Sequence, residues 1–348
     1  MQFAPQFGAP PAGQHLEQLK KSQNYGSDQF KNLVTTEMNM SIGQMTGTMY
    51  QWLFEDNGKA PKKPLPTRLA EPHQEDHDSI TQVTWFGHSA ILLEIDGKNL
   101  LIDPMFGPAA APVSFLSKRF PYQQAIDLEN LPEIDAIIIS HDHYDHLDYP
   151  SIRYLKDKTN HFFVPLGVGS HLKEWGVEVS KINELDWWES FSFEGLALVA
   201  TPARHFSGRK FNDRNKTLWA SWVICGNKHK IFFSGDGGYF NGFKEIGTKY
   251  GPFDFTMIEC GQYNENWAAI HMMPEQSVQA HLDVQGKVMM PIHWGAFSLS
   301  LHSWKEPVER LLKKAGEENV TACFPIIGQP LDIESPPATA NYWWVSHE

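Results

Sequence analysis

The sequence predicts a layered α/β fold in which helices cover sheet, and three observations carry that prediction. From Thr81 onward the chain divides into short apolar runs of strand length, and stretches of helical pattern recur between the later ones. IDAIIIS, residues 134–140, contains a run of consecutive apolar residues, as expected of a strand buried on both faces. A chain of 348 residues with 41% hydrophobic content can bury a large core in one α/β domain or two smaller ones.

Residues 1–65 are expected to form an N-terminal arm or extension, polar and interrupted by Gly and Pro, in which residues 42–53 suit a short helix or peripheral lid. The Pro- and Lys-rich KAPKKPLP marks the boundary, so residues 66–348 are expected to be the catalytic domain. His73 and His77, in EPHQEDHD, fit a solvated linker better than a metal site. The first strands are QVTWFG, SAILLEID and KNLLIDP, the last two joined as a hairpin through Asp96-Gly97. IDAIIIS follows and stops directly at His141. HFFVP, ALVATP, WASWVIC, KIFFSGD, FDFTMIEC and KVMMPIHW supply further strands, while residues 149–158, 274–283 and 304–315 read as helices.

Composition narrows the function. A formal net charge of −12 argues against a broad nucleic-acid surface, which needs Lys and Arg to neutralise many phosphates. The 3 cysteines, Cys225, Cys260 and Cys323, are widely spaced and lack CxxC pairing, which suggests neither a disulfide framework nor a thiolate zinc finger and fits buried thiols in a reducing compartment. No apolar run reaches membrane-spanning length, and residues 1–14 lack the apolar core of a signal peptide, so a cytoplasmic protein is expected. Aromatic content of 13% suits a thick core or a pocket walled with rings, and core packing is the stronger reading for Trp187, Trp188 and Trp294.

The chemistry concentrates in HDHYDH, residues 141–146, where the buried strand ends. Burying such a polar cluster without partners costs several kcal/mol, roughly, so something must satisfy it. Imidazole nitrogens and carboxylates are the donor set that suits divalent zinc. Three later positions share the same topological place: His205 after the ATP strand, Asp236 after FFSG, and His293 after KVMMPI. The natural assignment puts His141, His143 and His205 on one ion and Asp145, His146 and His293 on another, with Asp236 bridging. Open coordination at both ions marks a catalytic site, because metal-bound water ionises near pH 7, roughly. His88 and Asp103 stand where they could orient ligands from outside the metal shell, an ordinary core histidine being equally good for His88.

These residues resemble the HxHxDH signature of the metallo-β-lactamase superfamily. Within it the chain is similar to the N-acylphosphatidylethanolamine-hydrolysing phospholipase D group through VTWFGHSAILLE, LLIDPMFG, IDAIIISHDHYDHLDY, FVPLGV, ELDWWE, LWASW, FFSGDGGY, FKEIGTKYGPFD and PEQSVQAHLDVQGKVMMPIHWGAFSL. The resemblance implies an αββα sandwich of two mixed sheets with outer helices, two divalent metal ions (Zn2+ foremost, Mn2+ or Fe as alternatives), and the same seven ligands. Asp145 and Asp236 then serve catalysis as well as binding. It adds His271, in AIHMMPEQ, as a histidine beside the substrate, together with peripheral membrane contact and a homodimer. The sequence differs around TPARHFSGR and at ECGQY, residues 259–263, and the N-terminal segment has no clear match.

The expected activity is therefore metal-dependent phosphodiester hydrolysis of a phospholipid, with no nucleic-acid partner. A sugar-phosphate lactonase, a cyclic-nucleotide phosphodiesterase or a nuclease on the same centre is the rival within enzymes. A non-catalytic metal-binding protein is the rival outside them.

Overall fold

The computed structural model describes residues 4–37, 42–55, 57–68, 80–336 and 342–347. His73 and His77 lie outside the described residues. The arm carries α1 (Gly13–Leu19) and α2 (Ile42–Phe54), and its first part is fastened to the body by the buried side chains of Leu19 and Phe30.

β1 (Gln82–Trp85), β2 (Ile91–Ile95) and β3 (Lys98–Ile102) form an antiparallel meander. Its second turn is Asp96-Gly97, with φ of 49° and 71°, the left-handed pair that a two-residue hairpin of matching twist requires. β4 (Ala136–Ile138), β5 (His161–Pro165) and β6 (Ile182–Leu185) then add in parallel, with α3 (Tyr149–Leu155) and α4 (Gly169–Glu174) in the crossovers. The second half of the chain repeats this plan. β7 (Ser190–Phe193), β8 (Leu196–Thr201), β9 (Ser221–Cys225) and β10 (Lys230–Phe233) pair antiparallel. β11 (Phe253–Glu259), β12 (Gly286–Ile292) and β13 (Thr321–Ala322) follow in parallel, and α5 (Gly242–Tyr250), α6 (Pro274–Asp283) and α7 (Glu306–Glu317) connect them. β14 (Pro330–Asp332) returns to the first sheet as an edge strand on β1, so the sheets run β14-β1-β2-β3-β4-β5-β6 and β13-β12-β11-β10-β9-β8-β7.

Alternation along the strands makes this a sandwich. Ile91, Leu93 and Ile95 of β2 join the core shared with the second sheet, whereas Leu92 joins the layer under α3 and α4. β4 is buried on both faces: Ala136 and Ile138 face the sandwich, and Ile137 packs against Ile152, Leu155 and Leu172 of the outer helices. On the far side, Phe243 and Ile246 of α5, Val278 of α6, and Val308 and Leu311 of α7 cover the second sheet. Two mixed seven-stranded sheets with flanking helices make the expected αββα sandwich.

α6 has the bounds read from its sequence, while α3 ends at Leu155 and α7 runs from Glu306 to Glu317. The short edge strands and α5 were not anticipated. Trp187 and Trp294 are core residues: the Trp187 indole donates to Trp219 O at 2.6 Å, and Trp294 stacks on Trp85 at 5.1 Å between centroids. Cys260 and Cys323 are buried free thiols, and Cys225 is a partly buried one.

Candidate metal centre

Each site residue follows a strand that the core holds rigid, at the carboxyl end where open α/β sheets place their ligands. Asp103 follows β3, residues 141–146 follow β4, His205 follows β8, Asp236 follows β10, Glu259 ends β11, and His293 follows β12. The two sheets are joined here: His88 N donates to Trp294 O at 2.8 Å, and His293 N donates to His88 O at 2.9 Å. His88, Asp103 and His293 all have positive φ, at 54°, 41° and 69°. Left-handed backbone at non-glycine residues costs on the order of 1–3 kcal/mol each and persists where surrounding structure over-determines it. Gly261 permits the closest approach, since a Cβ there would lie 1.9 Å from His293 O.

The side chains form two sets. His141 Nε2 and His205 Nε2 both point at His143 Nδ1, at 2.9 and 3.2 Å. Donors roughly 2.0–2.1 Å from a shared tetrahedral ion stand about 3.3 Å apart, so this is ligand spacing. In the second set, His293 Nε2 and His146 Nε2 lie 3.2 and 3.5 Å from Asp145 Oδ2. Asp236 lies between them, its Oδ2 2.8 Å from His293, 3.0 Å from His146 and 3.9 Å from His141. Asp236 Oδ1 is buried with no hydrogen-bond partner. A buried, unmatched carboxylate oxygen facing a histidine cluster is what a cation would satisfy.

Outer partners fix the imidazole tautomers. His205 Nδ1 donates to Ile270 O at 2.9 Å, His146 Nδ1 to Asp103 Oδ2 at 2.7 Å, and His293 Nδ1 to Gly261 O at 3.4 Å. Ser140 Oγ gives its proton to Asp103 and so accepts from His141 Nδ1, at 2.9 Å. In the neutral form of all four rings the proton points outward and the Nε2 lone pair inward, the arrangement metal-binding histidines need. His88 Nε2 lies 2.9 Å from Asp145 Oδ2 and orients that carboxylate.

Electrostatics agrees. Burial, reinforced by neighbouring histidines, holds His141 and His205 well below the ordinary value, and burial lowers His143 to about 4, so all three are neutral donors. Burial opposes charge on His146 and His293 too, yet Asp236 and Asp145 overcome it, raising His146 well above its ordinary value and His293 to about 10. Without metal, protons stand where cations would.

His271 is at the rim, its ring 5.2 Å from those of both His205 and His293. Its Nδ1 is held by the fully buried Glu259, which also accepts from Gly237 N at 2.5 Å. The sequence reading missed Glu259 as a site residue. Its signal was an apolar strand ending in an acid, the same one that marked Asp236.

A family profile described as the beta-lactamase superfamily domain matches residues 98–294, more than half of the chain. The chain belongs to the metallo-β-lactamase superfamily. Among its superfamily relatives, a Mycobacterium tuberculosis protein described as uncharacterised is 42% identical over 331 residues, 93% of this chain and 88% of that protein. The N-acyl-phosphatidylethanolamine-hydrolyzing phospholipase D 1 of Caenorhabditis elegans is 32% identical over 241 residues, 66% of this chain and 68% of that protein. A solved metallo-hydrolase, Igni18 of Ignicoccus hospitalis, shares the fold with a TM-score of 0.57 at 20% identity, covering 73% of this chain and 98% of that one. The protein is thus a metallo-β-lactamase-fold hydrolase with a His/Asp cluster suited to divalent metal. Among the described residues no helix is long and apolar enough to cross a membrane.

Proposed function

We propose that the protein is a phospholipase D-type phosphodiesterase with a dinuclear zinc centre, which releases N-acylethanolamine and phosphatidic acid from N-acylphosphatidylethanolamine. The observation that carries the two-metal reading is Asp236, which stands between a three-histidine set and an Asp/His/His set with one oxygen unpartnered. The relationship to the nematode phospholipase supports the substrate. So does a cavity of about 360 Å³, lined by Trp52, Lys59, Lys118, Arg119 and Phe120, whose apolar and cationic character suits a phospholipid. The Arg119 guanidinium lies 4.6 Å from the Phe297 ring, which in turn touches His88, so two buried side chains stand between the cavity and the centre.

Bound divalent ions supply Lewis acidity toward phosphoryl oxygens and an acidified water for attack at neutral pH. The chain's own residues do the rest. Asp236 keeps the two ligand sets in register, and the strand ends hold every ligand at fixed height over the sandwich. Glu259 anchors His271 through Nδ1, leaving Nε2 to hold the phosphate or to give a proton to the departing alkoxide. The bond that breaks joins phosphorus to the ethanolamine oxygen, so the phosphate remains with the diacylglycerol.

Purified protein offered N-acylphosphatidylethanolamine, plain phospholipids, cyclic nucleotides and lactones should release N-acylethanolamine from the first alone. Turnover of lactones or cyclic nucleotides with none of the lipid would overturn the substrate. Binding of a single metal equivalent would overturn the dinuclear centre.

A further inference from the structure

The first part of the arm ends its path on the metal ligands. Asn32 makes a two-way bond with the backbone of His205: its Nδ2 donates to His205 O at 2.7 Å, and its Oδ1 accepts from His205 N at 3.1 Å. A second tether reaches the other ligand segment. The buried guanidinium of Arg209 donates to Asp142 O at 2.5 Å and Leu147 O at 2.9 Å, on both sides of the ligands His143, Asp145 and His146. The same guanidinium donates to Gln6 O through Nε at 2.8 Å and a terminal nitrogen at 2.6 Å. Trp175 also binds Pro5 O at 2.8 Å, and Lys210 binds Gly8 O at 3.0 Å.

We propose that two contacts of the N-terminal segment, Asn32 on the His205 backbone and Gln6 O on Arg209, act as a clasp that sets the metal affinity of the His141, His143 and His205 set, with Asn32 and Arg209 as the positioning residues. The proposal rests on reading those three histidines as one ligand set. His205 belongs to a long irregular connection between β8 and β9, not to a strand, so its backbone needs fixing from outside the sheet. Its ring is fixed by Ile270 O and its main chain by Asn32, which leaves Nε2 one direction to point. Arg209 suits the second tether because its planar fork reaches three carbonyls at once, which a lysine ammonium on a flexible stem cannot reproduce. Losing an outer partner of a metal ligand weakens binding by about 10–100-fold.

The test uses the full chain, stripped of metal and titrated with Zn2+ against a chelating indicator. Asn32→Ala and Asn32→Leu, the second matching asparagine in shape, should each weaken one of the two metal equivalents by about tenfold or more and leave the other unchanged. His15→Ala serves as the packing control on the same arm. It removes the contacts to Glu184 and Ser170, at 2.7 and 2.9 Å, and should leave both equivalents unchanged. Thermal unfolding of the metal-free variants separates misfolding from lost affinity. Wild-type affinity for both equivalents in a folded Asn32→Leu protein would overturn the clasp. A wild-type protein that binds no metal at the three-histidine set would overturn the ligand reading beneath it.

Discussion

The candidate ligand histidines divide into two electrostatic kinds, and their pH responses oppose each other. In the metal-free protein His293, raised from 6.5 to about 10, stabilises fully below pH 6.5 and loses that contribution as pH rises toward 10. His143, lowered from 6.5 to about 4, does the reverse: a neutral buried ring costs stability as pH falls from 6.5 toward 4. Urea denaturation of metal-free protein across pH should therefore show a stability maximum near the ordinary histidine value and a fall on both sides. Metal uptake near neutral pH should release a proton each from His146 and His293, because the other ligands are already deprotonated, and buffer-dependent calorimetry reads that release. At the rim, His271→Ala should retain the wild-type metal content and lower kcat by about 10²–10⁴ if its proton serves the leaving group. Metal analysis beside steady-state kinetics distinguishes this from a ligand. Asp103→Asn, which weakens the acceptor behind Ser140 and His146, should instead lower metal affinity by about 10–100-fold, read by titration against a chelator.

At the scale of elements, what the sequence made legible follows from burial. IDAIIIS was readable because both faces of β4 are covered, so its pattern had no polar half to blur it. Ile138→Ala should cost about 2–5 kcal/mol, the range for a large apolar side chain removed from a closed core, and chemical denaturation measures it. The strands that escaped notice lie on the sheet edges. β6 (INEL) is partly buried at three of its positions, and β13 has 2 residues, too short for any period. α5 was obscured by its two glycines, of which Gly247 is required because a Cβ there would lie 2.3 Å from Asp283 O beside α6. All seven expected ligands stand together because each sits one to four residues past a strand or within the loop that follows one. The contacts of Asn32 and Arg209 had no sequence signal, since a polar side chain bonding to distant backbone leaves no periodic trace.

For the whole molecule, the centre ties the halves of the chain together, since each ligand set draws side chains from both sheets. Bound metal then stabilises the entire sandwich rather than one loop. Each ion held at a thousandfold excess over its dissociation constant should add about 4 kcal/mol, so a chelator should lower Tm in a single concerted transition, followed by calorimetry. Separate melting of the two sheets would contradict this.

The return of β14 to the edge of β1 has a consequence for synthesis. Val83 is paired with Leu331, so the first sheet keeps an open edge until residues 330–332 have left the ribosome. A product stopped short of residue 330 would expose that edge to neighbouring nascent chains, and termination just before β14 should yield aggregates rather than a folded sandwich.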